Sequence, residues 1–167
     1  MKAAWGLGFK KIYDSEVRDV IDKGVHEVLK NLGPTPMDFE VERILRMGAC
    51  GTRGYRTYAE DAYRRLGVSQ KTMKSDLRRH SMPTVAKLLA WGHLIPVLGL
   101  KRPNPRLSQT GSLDKLSIHW GFDSGGSISS KCKEYAGVYP SAIKGGVTDL
   151  AKRLVSYWRK DLLDLPN

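Results

Sequence analysis

Residues 113–140 constrain this chain more than any other stretch. They read Leu113-Asp-Lys-Leu-Ser-Ile-His-Trp-Gly121-Phe122-Asp123-Ser124, then Gly-Gly-Ser-Ile-Ser-Ser-Lys-Cys-Lys-Glu-Tyr135, then Ala-Gly137-Val-Tyr-Pro140. Ser112 caps a short apolar helix to Trp120, and Gly121 supplies the freedom of φ that a sharp turn needs. Asp123 or Ser124 caps a second, basic helix to Tyr135, which Gly137 and Pro140 stop. Helix, glycine turn and capped second helix make a helix-turn-helix, an arrangement that can set its second helix into the DNA major groove.

The same grammar recurs upstream, over Ala59–His80. Thr57-Tyr-Ala-Glu60 is a capping box opening a helix to Leu66. Gly67 turns, and Ser69 caps the next helix to His80. Each second helix carries an apolar pair four residues apart, Met73 with Leu77 and Ile128 with Cys132, which buries one face and frees the other.

Charge follows the pattern. The 167 residues carry a net charge of +11. Residues 57–145 hold 14 basic and 6 acidic side chains, a net +8, against +2 for 1–56 and +1 for 146–167. A polyanionic partner suits such a balance. No apolar run reaches the ~18 residues of a membrane span, so no membrane partner is expected. The first residues lack a secretory leader's long apolar core, and a cytoplasmic location is the expectation. Cys50 and Cys132 stand far apart without metal spacing, and neither a zinc cluster nor a disulfide framework follows. His26, His80, His93 and His119 show no metal spacing either.

The remaining signals are helical. Asp14-Ser15 caps an amphipathic helix through Val17, Val20, Ile21, Val25, Val28, Leu29 and Leu32, and Gly33-Pro-Thr-Pro36 ends it. Asp38 caps a short helix through Leu45, and Gly48–Gly54 reads as a loop. Ser81-Met-Pro83 opens a helix with Val85, Leu88, Leu89, Trp91, Ile95 and Leu98 inward, which Pro96 should kink or end. Lys101–Pro105 is a basic loop. Pro140–Lys144 suggests a short helix, broken by Gly145-Gly146. Thr148 caps a last amphipathic helix with Leu150, Leu154, Val155, Trp158 and Leu162 inward. Phe9–Tyr13 alone shows a strand-like alternation.

The run Gly121-Phe122-x-Ser124-x-x-x-Ile128-Ser129-x-x-Cys132-Lys133-x-x-x-Gly137-x-x-Pro140 resembles the second helix-turn-helix signature of AraC-type transcription regulators. Leu66-Gly67-Val68-Ser69-Gln70-Lys71-Thr72-Met73 resembles their first unit. The resemblance covers residues 56–145. It implies an all-α fold with two helix-turn-helix subdomains joined by a linker helix and flanked by N- and C-terminal helices. The divisions are 1–50, an N-terminal helical region of unknown role; 56–145, the DNA-binding domain; and 146–167, a C-terminal amphipathic helix.

By the family's pattern, Gln70, Lys71, Lys74, Ser75 and Arg78 face DNA in the first unit. In the second unit Gly125, Gly126, Ser127, Ser129, Ser130 and Lys133 do so. Departures from the pattern are Tyr63 for a small alanine, Gly126 for a polar residue, Ser130 for an arginine and Cys132 for an aromatic. The resemblance implies a sequence-specific double-stranded DNA-binding transcription regulator without cofactor, metal or catalysis, with RNA polymerase as a further candidate partner and the oligomeric state open. The competing readings are a degenerate helix-turn-helix serving as a protein-interaction module and a non-specific architectural DNA-binding protein. AraC-like units also occur fused to alkyl-transfer repair domains, but the cysteine cluster of such an enzyme is missing here.

Overall fold

The computed structural model describes residues 2–50, 58–99 and 125–164, with side chains from Ser15 onward. Its regular elements are helical: α1 (Lys2–Leu32), α2 (Asp38–Ala49), α3 (Ala59–Leu66), α4 (Gln70–Arg79), α5 (Val85–Gly99), α6 (Gly125–Ala136), a 3-10 turn (Pro140–Ala142) and α7 (Gly146–Leu163). No strand occurs among the described residues, and none of their helices is long and apolar enough to cross a membrane. The all-α class therefore holds.

The centre of the molecule is α5. Its sequence, Val-Ala-Lys-Leu-Leu-Ala-Trp-Gly-His-Leu-Ile-Pro-Val-Leu-Gly, is apolar nearly all round, and every residue from Leu88 to Gly99 is buried. A helix apolar on all sides needs neighbours on all sides. α2 supplies one, with Val41, Ile44, Leu45 and Ala49 inward. α1 supplies another through Ile21, Val25 and Val28, and α7 a third through Leu150, Leu154 and Trp158. Trp91 meets Trp158 edge-on, with ring centroids 6.1 Å apart and planes at 79°, an arrangement the ring quadrupoles favour. Arg46 of α2 reaches Asp22 of α1 at 2.6 Å, and the Arg159 guanidinium donates to the Leu32 carbonyl at 2.9 Å. One continuous core draws on residues from Ile21 to Trp158.

Glycines set how closely these helices approach. A Cβ on Gly92 would overlap the Leu45 carbonyl oxygen, and one on Gly48 would overlap that of Leu89. α2 and α5 therefore meet backbone to backbone, as small residues at a helix crossing permit. Gly48 is a buried helical residue and does not begin the loop that the glycine spacing suggests.

Several boundaries differ from the sequence expectation. α1 runs unbroken from Lys2 through Asp14-Ser15. Residues 9–13, the strand-like stretch, lie inside it. The capping signal is outvoted because Asp and Ser inside a helix cost only ~0.5 kcal/mol each, and five alternating residues form no strand without a partner. Tyr58, not Thr57, occupies the N-cap of α3, and Met37, not Asp38, that of α2. α5 starts after Thr84, whose hydroxyl accepts the Lys87 N–H at 3.2 Å, and it continues through Pro96. The proline ring is apolar and joins the core.

The last helix begins at Gly146, not after Thr148. Its clamp is Asp149, whose carboxylate accepts the Lys144 N–H at 3.0 Å, the Gly145 N–H at 3.4 Å and Arg153 Nε at 3.0 Å. Partial burial pushes this carboxyl up, but the two backbone donors and Arg153 outweigh it and hold the group below its ordinary value. A depressed carboxyl stabilises the fold above its unfolded value and loses that contribution as pH falls through the folded one. Asp149→Asn keeps an acceptor oxygen but removes the charge, and is expected to cost about 1 kcal/mol at pH 7, as weakening charge-assisted hydrogen bonds does. Melting curves should show the gap between parent and variant closing below about pH 4. A gap independent of pH would rule the clamp out.

Candidate nucleic-acid interface

The unit built from α3 and α4 is made by local chemistry. Glu60 and Asp61 sit in the first turn of α3, where the helix dipole favours acids. Ala62, fully buried, seats α3 on the core. Gly67 takes φ 68°, ψ 25°, the left-handed conformation glycine adopts without strain. The Val68 N–H then reaches back to the Tyr63 carbonyl at 3.4 Å, closing the helix end in a Schellman arrangement. Tyr63 is half-buried, and burial raises its phenol. Two residues after Gly67, Ser69 caps α4, its hydroxyl oxygen accepting the Thr72 N–H at 3.2 Å. These are the turn and cap that the sequence predicts.

α4 divides cleanly into two faces. Met73 and Leu77 are buried, each 2% exposed. Gln70, Lys71, Lys74, Ser75 and Arg78 are all exposed, and their spacing puts them on the opposite side. Arg79 is paired with Asp76. Lys71, Lys74 and Arg78 have no acid partner among the described residues. α4 thus presents three uncommitted cations with one amide and one hydroxyl, donors and acceptors that suit phosphate oxygens and base edges.

The α4 terminus closes through a non-glycine left-handed residue, Ser81 at φ 55°. The Met82 N–H reaches the Leu77 carbonyl at 2.8 Å around it. This turn directs the chain from α4 into α5.

α6 is built differently. Ile128 and Cys132 are fully buried, as their spacing predicts. Gly126, Ser130 and Lys133 are exposed, while Ser127 and Ser129 are half-buried. Its cations are engaged. Lys133 Nζ donates to the Gly137 carbonyl at 3.2 Å and lies 5.3 Å from the Tyr139 ring centroid. Lys131 pairs with Glu134 at 3.2 Å and lies over Tyr135. Lys133 therefore acts as a C-terminal cap of its own helix. Gly125 opens α6; the first helix expected for this unit, 112–120, and the turn at Gly121 lie outside the described residues, as do Thr57, Trp120, His119, Asp123 and Ser124.

No protein-family model, curated protein or solved structure matches this chain.

One cation escaped sequence reasoning. Lys87, near the start of α5, lines the same groove as Lys74 and Arg78, and it too has no ion-pair partner among the described residues. Nothing in the linear pattern marks it, because it belongs to a helix that is buried throughout from Leu88 onward. Among the described residues no group of three or more His, Cys, Asp or Glu could hold a metal ion. Cys50 has accessible surface, yet the protein around it raises its thiol above the ordinary value despite Arg46. A raised thiol is a poorer nucleophile at neutral pH.

Proposed function

We propose that this chain is a sequence-specific double-stranded DNA-binding transcription regulator that reads DNA with α4. One observation carries the reading: a capped helix, set on the core by Met73 and Leu77, shows solvent a face of Gln70, Lys71, Lys74, Ser75 and Arg78. Its three cations have no acid partner among the described residues. A solvated surface helix ordinarily mixes charges of both signs, and this face does not. α6, with its glycine and serine face and engaged lysines, serves as a second, positioning contact in this scheme. RNA polymerase is a further partner that such a regulator admits.

The test is a salt titration of duplex binding. If about six phosphates are neutralised, log K should fall against log salt with a slope near −5. Selection from random-sequence duplex should then return a preferred site. Binding without any preferred site would favour the architectural reading. No binding at low salt would favour a protein-interaction module, for which the Gly126, Ser129 and Ser130 face of α6 is the candidate surface.

A further inference from the structure

Where α4 ends, residues 80–84 cross the last turns of α7. A groove of about 540 Å³ lies there, lined by the apolar Met82, Trp158 and Leu162 together with the cations Lys74, Arg78 and Lys87. A second groove of about 470 Å³ shares Met82, Trp158 and Leu162 and is lined also by Leu32, Pro34 and Pro36, at the corner after α1. Neither groove is lined by an aspartate or glutamate. Arg159, beside the second groove, is committed to the Leu32 carbonyl. The three cations of the first are uncommitted: no ion pair or side-chain hydrogen bond holds them among the described residues. Leu162 is 49% exposed, so the apolar lining reaches solvent.

A groove lined by apolar side chains and three unpaired cations is complementary to a compact apolar body carrying an anionic head. The volume falls in the ~300–1,000 Å³ range of small-molecule sites. A nucleic-acid strand would use the cations but not the apolar lining, since its phosphates are hydrated and its charge is spread along its length. An uncharged lipid would use the apolar lining and leave the cations idle.

We propose that this groove binds an amphipathic carboxylate, its head on Lys74, Arg78 and Lys87 and its apolar body over Met82, Trp158 and Leu162. A consequence follows that rests on α4 being the DNA-reading helix. Lys74 and Arg78 serve both ligands, so the carboxylate and duplex DNA exclude one another, and each weakens the other by the same factor. The groove then acts as an effector site built into the reading helix, with Lys87 as the cation that belongs to the effector alone.

The experiment titrates the full chain with decanoate, decan-1-ol and decyltrimethylammonium below their micelle concentrations, by calorimetry. Decanoate should bind saturably at one per chain, with decan-1-ol and decyltrimethylammonium at least tenfold weaker, the factor expected when a charge-assisted contact is lost. Lys87→Gln should weaken decanoate about tenfold and leave duplex binding within about twofold of the parent. Leu162→Asp alters a half-exposed position, so folding should persist, and its carboxylate in the apolar lining should abolish decanoate binding. Equal affinity for decanoate and decan-1-ol, many ligands per chain, or an unchanged Leu162→Asp overturns the proposal. So does a parent that is dimeric by sedimentation, takes up no decanoate and becomes monomeric on Leu162→Asp, which assigns the groove to a second copy. Added decanoate should release duplex from the parent but not from Leu162→Asp. If decanoate binds as described and no duplex binds at all, the reading of α4 fails and the carboxylate site stands. If both bind without mutual effect, the shared use of Lys74 and Arg78 is wrong.

Discussion

Gly92→Ala is expected to lower the melting temperature by about 6–12 °C or to leave the chain unfolded at 37 °C. The added methyl would overlap the Leu45 carbonyl oxygen and stand 3.1 Å from the Ala49 nitrogen. Neither is the far end of a flexible side chain, so no rotamer change relieves the overlap. α2 must move away from α5, and Val41, Ile44 and Leu45, all fully buried, lose their contacts with it. Overpacking a core typically costs ~1–3 kcal/mol and occasionally more, and a backbone overlap belongs at the upper end. At ~2–4 °C per kcal/mol for a chain of this size, that gives the stated shift. Gly48→Ala should act alike, from the opposite side of the same crossing. Gly67→Ala is the control. It meets nothing within 4 Å, so only its positive φ is penalised, by ~1–2 kcal/mol. Thermal melts of the three variants decide the matter, and a Gly92→Ala protein that melts within a degree of the parent would remove the close crossing from the account.

The combined change Lys71→Gln, Lys74→Gln, Arg78→Gln is expected to reduce duplex affinity at least 100-fold and to flatten base preference over one half of the site. Each good base contact is worth ~1–3 kcal/mol of discrimination, and each phosphate contact contributes ~0.9 to the salt slope. Losing three exposed, uncommitted cations therefore lowers both affinity and slope. The fold should be untouched, because these side chains are exposed and no ion pair holds them among the described residues. In α6 the expectation differs. Ser129→Ala and Ser130→Ala should leave preference intact, since a hydroxyl donates and accepts almost interchangeably and discriminates poorly. Lys133→Ala should act on stability more than on sequence choice, because its ammonium is held by the Gly137 carbonyl and the Tyr139 ring. Binding-site selection with each variant separates the two helices. Preference lost at Ser129 or Ser130 and kept at Lys71 and Lys74 would reverse their roles.

The α3–α4 unit shows why part of this molecule is legible from sequence. Gly67 in a left-handed turn, Ser69 bonded to Thr72 and the Met73–Leu77 pair facing inward are relations within five residues. Local sterics and hydrogen bonding settle such relations before the rest of the chain is considered. The exposed set on α4 follows from the same 3.6-residue period. Local signals failed where they met competition. Asp14-Ser15 carries a start signal, but a continuous helix was available and the penalty for ignoring the cap was small. Pro96 carries a stop signal, but the packing around α5 holds its helix together to Gly99.

The sequence by itself determined that the chain is helical, where the α3–α4 turn lies, and which side of α4 and of α6 faces inward, because periodicity and capping act over single turns. Tertiary structure alone decided that Gly48 and Gly92 are the places where two helices touch backbone to backbone, since each glycine is needed only once the other helix lies against it. It also decided that Lys87 joins Lys74 and Arg78 around Met82, Trp158 and Leu162. Those residues come from two segments distant in sequence, 74–87 and 158–162, and no periodicity within either segment encodes which surface of the other will come to rest beside it.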